Sequence, residues 1–408
     1  MKKTIAILLV AVLAVSSVFA GFSLSGEANV KLVGSFDDKT LGFTNGDNKV
    51  KVAIEGATAE KVNEGDIYAG IKAVLSFKAS TFTNGSTDFA TADKPFITVD
   101  KLEISEAYIT DGNWKLSILS AAATPTFSKG FEKDDDNTTK LNAAVAKGVP
   151  GVTFEIAGWK AGLGLNATFK EGGAKNGMLT IATPSFTFDA VTVKAGAGVA
   201  NADGKFSVGG GAEAKYATDT LAATVGADVV YEKNGNKFNA AVSANVAYAP
   251  VTVDDYFATV AKEANKYVGY TSSKSENYLS AKVVTDLNSF DVPVTLTVTG
   301  ANLINDQYLD AKAACTVSGV GLTVSGGYQV SNKTYHAGVA ADYTLDTVGK
   351  IYGKFDLVGK DKVTKAALEA GVENTTLVSG ATLKAYYKTD FAAEKKAGSV
   401  TASAQIKF

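Results

Sequence analysis

The stretch Ser399-Val400-Thr401-Ala402-Ser403-Ala404-Gln405-Ile406-Lys407-Phe408 decides how this chain is read. Small or polar residues stand at 399, 401, 403, 405 and 407, and apolar ones at 400, 402, 404, 406 and 408. A strand over these residues has one wet and one greasy face. The last residues of soluble proteins usually fray, so a full strand's length of alternation ending on Phe408 predicts a segment held in a sheet, its apolar side covered.

Working inward, the same period recurs almost everywhere. One face reads Phe206, Val208, Gly210, Ala212, Ala214, Tyr216, the next row Leu221, Ala223, Val225, Ala227, Val229, Tyr231, and the next Phe238, Ala240, Val242, Ala244, Val246, Tyr248. Each row has about the length that a tilted membrane strand needs, and each ends on a tyrosine. Further rows start at Leu309, Leu322, Ala337, Ile351, Ala366 and Ala381, close enough together for up-and-down hairpins. Phe22 to Phe36 and Ile67 to Phe77 continue the pattern near the start. Turn pairs such as Asp111-Gly112, Asn176-Gly177, Asp203-Gly204 and Asn234-Gly235 are expected between rows.

Lys2 and Lys3 precede an apolar run from Ile5 to Val15, and Val18-Phe19-Ala20 suits a cut ahead of Gly21. Residues 1–20 therefore read as a cleaved export signal and 21–408 as one domain. The apolar run is shorter than the roughly 20 residues of a spanning helix. The chain carries a net charge of −2, and losing Lys2 and Lys3 with the signal takes it to −4. No nucleic-acid-binding surface follows from that balance. Every basic residue is lysine, so the guanidinium fork that grips carboxylates and phosphates is missing. One cysteine, Cys315, and one histidine, His336, permit neither an intrachain disulfide nor a zinc cluster. No metal or other cofactor is expected.

The apolar rows are rich in Ala, Val and Gly with aromatics toward their ends, whereas the opposite face carries charge in mid-strand. A soluble sandwich would fill its core with bulky side chains. A thin apolar band flanked by aromatics suits lipid, and the charged face requires water or partners. The expected fold is all-β, a transmembrane antiparallel up-and-down β-barrel of about 20–22 strands. The count is 22 if 140–147 and 151–157 are both strands, and 20 if 152–169 is one bulged strand and 140–147 a loop. Longer connections are expected at 81–98, 121–139, 249–277 and 389–397; with a periplasmic C-terminus the last two lie on the outer side, and with 22 strands the first two do as well. The terminal row is expected to pair with the first, Phe22 to Phe36.

With its signal, its alternating strands and the closing Phe408, the chain resembles the outer-membrane β-barrels. That resemblance implies outer-membrane lipid as its surroundings and Phe408 as part of the signal read by the barrel assembly machinery. The lysine-only, Ala/Gly-rich barrel opening with Gly21-Phe22-Ser23-Leu24-Ser25-Gly26 is also similar to major outer-membrane surface proteins of spirochaetes such as treponemes. It departs from the trimeric porins, whose constriction carries an arginine ladder.

The pore-lining candidates are Lys194, Glu213, Lys215, Asp228, Lys282, Asp310, Lys312, Asp342, Lys354 and Asp356. Mixed signs predict weak ion selectivity. Asp254-Asp255 followed by Phe257, Val260, Ala261, Ala264 and Val268 has helical spacing with plausible N-caps. Such a helix would narrow the pore as a constriction loop through Phe257, Val260 and Ala264, or decorate the outer rim. His336 falls on the polar face, with Asp342 six residues, roughly 20 Å, along the same strand, so it reads as a solvated loop-edge histidine. Cys315 reads as a small hydrophobe facing lipid. Glu132, Asp134, Asp135 and Asp136 lack the spacing of a calcium loop and read as a solvated surface.

Two functions fit. One is a porin-like channel through which small hydrophilic solutes diffuse passively. The other is a surface adhesin or antigen whose long loops bind host surface proteins. Assembly of several copies into a homo-oligomer is compatible with both. No catalytic constellation is visible, and an enzyme is not expected.

Overall fold

The structure, a computed structural model, describes residues 21–45, 49–57, 65–79, 97–118, 124–128, 151–167, 175–202, 204–261, 275–346, 348–360, 362–394 and 396–407. The export signal, residues 132–136 and 140–147, Ala264 and Phe408 lie outside them.

Strand follows strand: β1 (Gly21–Ser35), β2 (Thr40–Asn45), β3 (Lys49–Ala57), β4 (Tyr68–Ala79), β5 (Ile97–Thr110), β6 (Trp114–Ser117), β7 (Gly151–Ile156), β8 (Trp159–Ala167), β9 (Lys175–Ala182), β10 (Phe186–Phe188), β11 (Val191–Ala202) and β12 (Lys205–Ala217). The second half comprises β13 (Leu221–Glu232), β14 (Lys237–Tyr248), β15 (Val251–Ala261), β16 (Ser275–Asp286), β17 (Val294–Ala301), β18 (Tyr308–Val317), β19 (Val320–Gln329), β20 (Thr334–Leu345), β21 (Gly349–Gly359), β22 (Val363–Asn374), β23 (Ala381–Asp390) and β24 (Ser399–Lys407). Neighbours in sequence pair antiparallel, as hairpins dictate. In the hairpins at 157–158 and 318–319 both turn residues have positive φ, 48° and 80° at Ala157 and Gly158, 50° and 81° at Ser318 and Gly319. That twist matches the strands they join.

Among the described residues the 24 segments of the sheet occupy 22 places. β2 and β3 pair with successive halves of β1, and β9 and β10 with successive parts of β11. β24 pairs back onto β1 from Glu27↔Lys407 to Ser35↔Ser399, so the pairing order returns to its first strand. The terminal row thus meets the first row, as its pattern predicts. The thinnest seams flank β6, which meets β5 from Tyr108↔Ser117 to Thr110↔Lys115 and β7 from Trp114↔Ile156 to Ser117↔Thr153.

Three expectations need correction. Gly151–Ile156 and Trp159–Ala167 are separate strands around a tight turn, which removes the 20-strand count. Asn176-Gly177 is inside β9 rather than in a turn. Most importantly, Val251–Ala261 is strand β15, paired along β14 and β16, so Phe257 and Val260 belong to the barrel wall and not to a helical constriction loop. The apolar residues there fit a helical period locally, but ladders on both sides pair the backbone of Val251–Ala258, and that tertiary gain overrides the local spacing. The connection at this point shrinks to 262–274.

The two faces of the wall are unlike. Paired positions keep one parity around the sheet: Lys194 opposes Glu213, Gly211 opposes Asp228, Asp254 opposes Lys282, and Thr299 opposes Asp310. On this face Glu213, Asp228, Tyr256, Ser280 and Thr299 are buried. On the other face Val225, Val229, Val242, Leu309, Val324 and Val339 are exposed. The polarity is inverted relative to a soluble protein. Outward aromatics mark both rims, with Phe206, Tyr231, Phe238 and Tyr328 at one end and Trp159, Phe186, Tyr216, Tyr248 and Tyr343 at the other. The long connections 80–96, 118–150 and 262–274 all fall at the first end, together with 391–398, where Asp37 accepts the Ala397 and Gly398 amides.

Candidate functional site

The enclosed face holds a strap of chain. Residues 124–128, Thr-Pro-Thr-Phe-Ser, leave the connection between β6 and β7 and lie against the polar face of β11–β13. Asp228, in the middle of β13, anchors them. Its carboxylate accepts the Phe127 amide at 2.9 and 3.0 Å, the Ser128 amide at 2.6 Å and the Ser128 hydroxyl at 2.5 Å. A buried carboxylate with this many donors has its charge met without water. Thr124, Phe127, Ser128 and Asp228 are all buried.

The floor beneath the strap is glycine. A Cβ on Gly196 would strike Pro125, one on Gly198 the Thr124 hydroxyl, and one on Gly226 the Phe127 carbonyl. On Gly211 it would meet Asp228 and the Phe127 ring. These positions face the lumen, where any side chain would lift the strap off the wall. Beside it, buried Glu213 takes Lys194 at 3.1 Å and Lys215 at 3.3 Å, and the Lys194 ammonium sits 5.6 Å from the centre of the Phe127 ring. Lys194, Glu213, Lys215 and Asp228, chosen from alternation alone, therefore converge on one locus.

The other candidates line the same face farther round. Lys282 pairs with Asp254 at 3.4 Å, and Asp254 also accepts from the Asn245 amide. Asp342 pairs with Lys350 at 3.6 Å, and Lys354 with Glu369 at 3.5 Å. Glu369 in turn accepts the Tyr352 hydroxyl at 3.0 Å and lies 3.8 Å from Lys384, whose ammonium stands over the rings of Tyr352 and Tyr386. Lys312 and Asp356 share this face, opposite Ser325 and Gly338. Alternating signs at neighbouring strands pair across the wall, and no belt of one sign forms among the described residues.

His336 differs from its expected setting. It is 8% exposed, its Nδ1 lies 3.0 Å from the Tyr308 hydroxyl and its Nε2 3.2 Å from Asp310 Oδ2. Tyr308 donates to the same Asp310 oxygen at 3.2 Å. Its partner is two strands away and not along its own strand: Asp310 opposes Gly327, which opposes His336. Only a glycine between them leaves the two side chains room to meet, because a Cβ there would crowd both and Tyr308. Cys315 lies on the outward row, a free thiol opposite Val294 and Leu322.

No family model matches the sequence, and no curated protein matches it. Among solved structures the chain is similar to the translocation pore of the P pilus usher PapC, with 9% identity over 95% of this chain and 99% of that one and a TM-score of 0.42. It is similar also to Pseudomonas aeruginosa OccK10 (10% identity, 95% and 99% covered, TM-score 0.38) and to a variant of the Rh. blastica porin (9% identity, 95% and 100% covered, TM-score 0.32). Identities this low concern the course of the chain and transfer no residue's role.

Proposed function

We propose that this protein is an outer-membrane channel for passive diffusion of small hydrophilic solutes, narrowed by the 124–128 strap. The observation that carries the proposal is the inverted polarity: a charged, enclosed face around a strap tied to Asp228, and an exposed face of small apolar residues between two aromatic rims. Barrels beyond roughly 16 strands are too wide for their own side chains to fill, so a lumen with 22 places around it has room for solute beside the strap. Paired charges of both signs along the wall favour weak ion selectivity. Outer-membrane lipid and the barrel assembly machinery are the partners this reading requires, and it leaves room for a homo-oligomer. It includes no catalytic step. The similarity to treponemal surface proteins, resting on composition and the Gly21–Gly26 opening, belongs to this proposal as its narrower form.

Planar-bilayer recording of purified residues 21–408 tests it. Stepwise ohmic currents with near-equal cation and anion permeability are expected; a protein that inserts yet never conducts overturns it. Clustering of the long connections at one end favours the second reading, adhesion to host surface proteins. Unchanged host-cell binding after scrambling 81–96 and 129–139 would count against that.

A further inference from the structure

Asp255 breaks the pattern of the outward face. It lies in mid-strand on β15, between Ala244 of β14 and Ala281 of β16, and its side chain is exposed. Its neighbours along the strand, Asp254 and Tyr256, face the lumen, Asp254 paired with Lys282 and Tyr256 buried. Away from strand ends and bulges, every other outward position among the described residues is uncharged. No hydrogen bond or ion pair from the described residues reaches the Asp255 carboxylate. On β14 the aromatics Phe238 and Tyr248 close the two ends of the band, and Ala244 lies between them, so Asp255 sits well inside it. Left against hydrocarbon, a carboxylate at that depth is unfavourable and calls for a donor.

We infer that the outward surface of β14–β16 around Asp255 is a docking site for a second membrane-embedded polypeptide that brings a cationic side chain to mid-depth. The inference rests on reading the apolar face as lipid-facing. Charge complementarity selects the occupant. Lipid headgroups lie at the aromatic rims and not at this depth. A second copy of the barrel offers no lysine at an outward mid-strand position of the described residues, so copy against copy sets the carboxylate against methyl groups or against itself. The surface beside it is built of Ala240, Ala244 and Ala281, small residues that let another backbone approach closely.

The test uses the full mature chain with Cys315→Ala and a fluorophore on Asn234→Cys in an exposed turn, reconstituted in phosphatidylcholine vesicles. The probe is a synthetic Leu-Ala transmembrane helix with one central lysine, compared with the same helix carrying norleucine there. Energy transfer should report association about tenfold stronger for the lysine helix. Asp255→Leu should abolish that preference while raising the urea midpoint of the isolated barrel. Equal binding of the two helices, or an unchanged midpoint, overturns the inference. So does self-association of labelled wild type that Asp255→Leu removes, which would name a second copy as the occupant. A chain that does not enter vesicles at all defeats the membrane reading as well, and so separates the two failures.

Discussion

The amide of Phe127 donates to the carboxylate of Asp228 across 101 residues of sequence, at 2.9 and 3.0 Å. That contact converts a stretch of connection into part of the lumen wall. Asp228→Ala removes the acceptor of three donors and leaves two buried amides unmet, a cost of about 1–3 kcal/mol per group if the strap stays in place. Releasing the strap costs less, so the variant should conduct about 1.5-fold or more above wild type per open step. Single-channel recording decides; an unchanged step size means the strap does not narrow the path.

Gly226→Val should reach the same end by a different route, because its side chain occupies the place of the Phe127 carbonyl. Since both changes act on one contact, the conductance of the double variant should match either single one and not their product. Multiplicative effects would show two independent sites.

Alternation made the wall legible. A period of two assigns Lys194, Glu213 and Asp228 to one face with no knowledge of neighbours, and it also makes Ser399–Lys407 a strand suited to pairing with β1. What failed needed partners. Val251–Ala261 fits both periods, and only β14 and β16 decide between them. The strap at 124–128 depends on Asp228 and on glycines far along the chain, so no local window reveals it. A signal was present all the same: Gly196, Gly198, Gly211 and Gly226 stand on the wet face, where a strand ordinarily carries a polar side chain. Likewise Asp310 and His336 become neighbours only through Gly327.

That last relation predicts that Gly327→Ala is destabilising. Its Cβ would come 2.6 Å from the Tyr308 hydroxyl, 2.8 Å from His336 Cε1 and 2.9 Å from Asp310 Oδ2, so the buried trio must separate. The loss should be about 1–3 kcal/mol in urea unfolding from vesicles. His336→Ala alone should cost a similar amount, and Gly327→Ala should then add less than it costs in the wild type, because one of the three groups it crowds is gone. Full additivity would place the strain elsewhere.

Asp111, in the turn between β5 and β6, accepts the Trp114 amide at 3.0 Å and the Asn113 amide at 2.7 Å, which hold its carboxyl below the usual aspartate range. A depressed folded value means the stabilisation is present above the unfolded pKa and fades as pH falls through the folded one. Asp111→Ala should therefore lower the unfolding midpoint at pH 7 and make no difference in strong acid. A deficit that persists in acid would assign the effect to the turn's shape instead of the carboxylate.

The seam between the ends of the chain is the step on which the barrel depends. Leu32 opposes Ala402 in the β1–β24 ladder, which joins Glu27–Ser35 of β1 to Ser399–Lys407, while β23 covers the other side of β24. In a Cys315→Ala background, Leu32→Cys with Ala402→Cys should form a disulfide under mild oxidation in folded protein and not in urea. Leu32→Cys with Ala404→Cys, one step out of register on the same face, should cross-link far less. Deleting Phe408 should reduce the folded fraction recovered from membranes without changing the step size of the channels that do form, because the residue follows the last ladder pair, Glu27↔Lys407. If the out-of-register pair cross-links as readily, β24 slides on β1, and the enclosed charge pattern, which needs one fixed register, loses its basis.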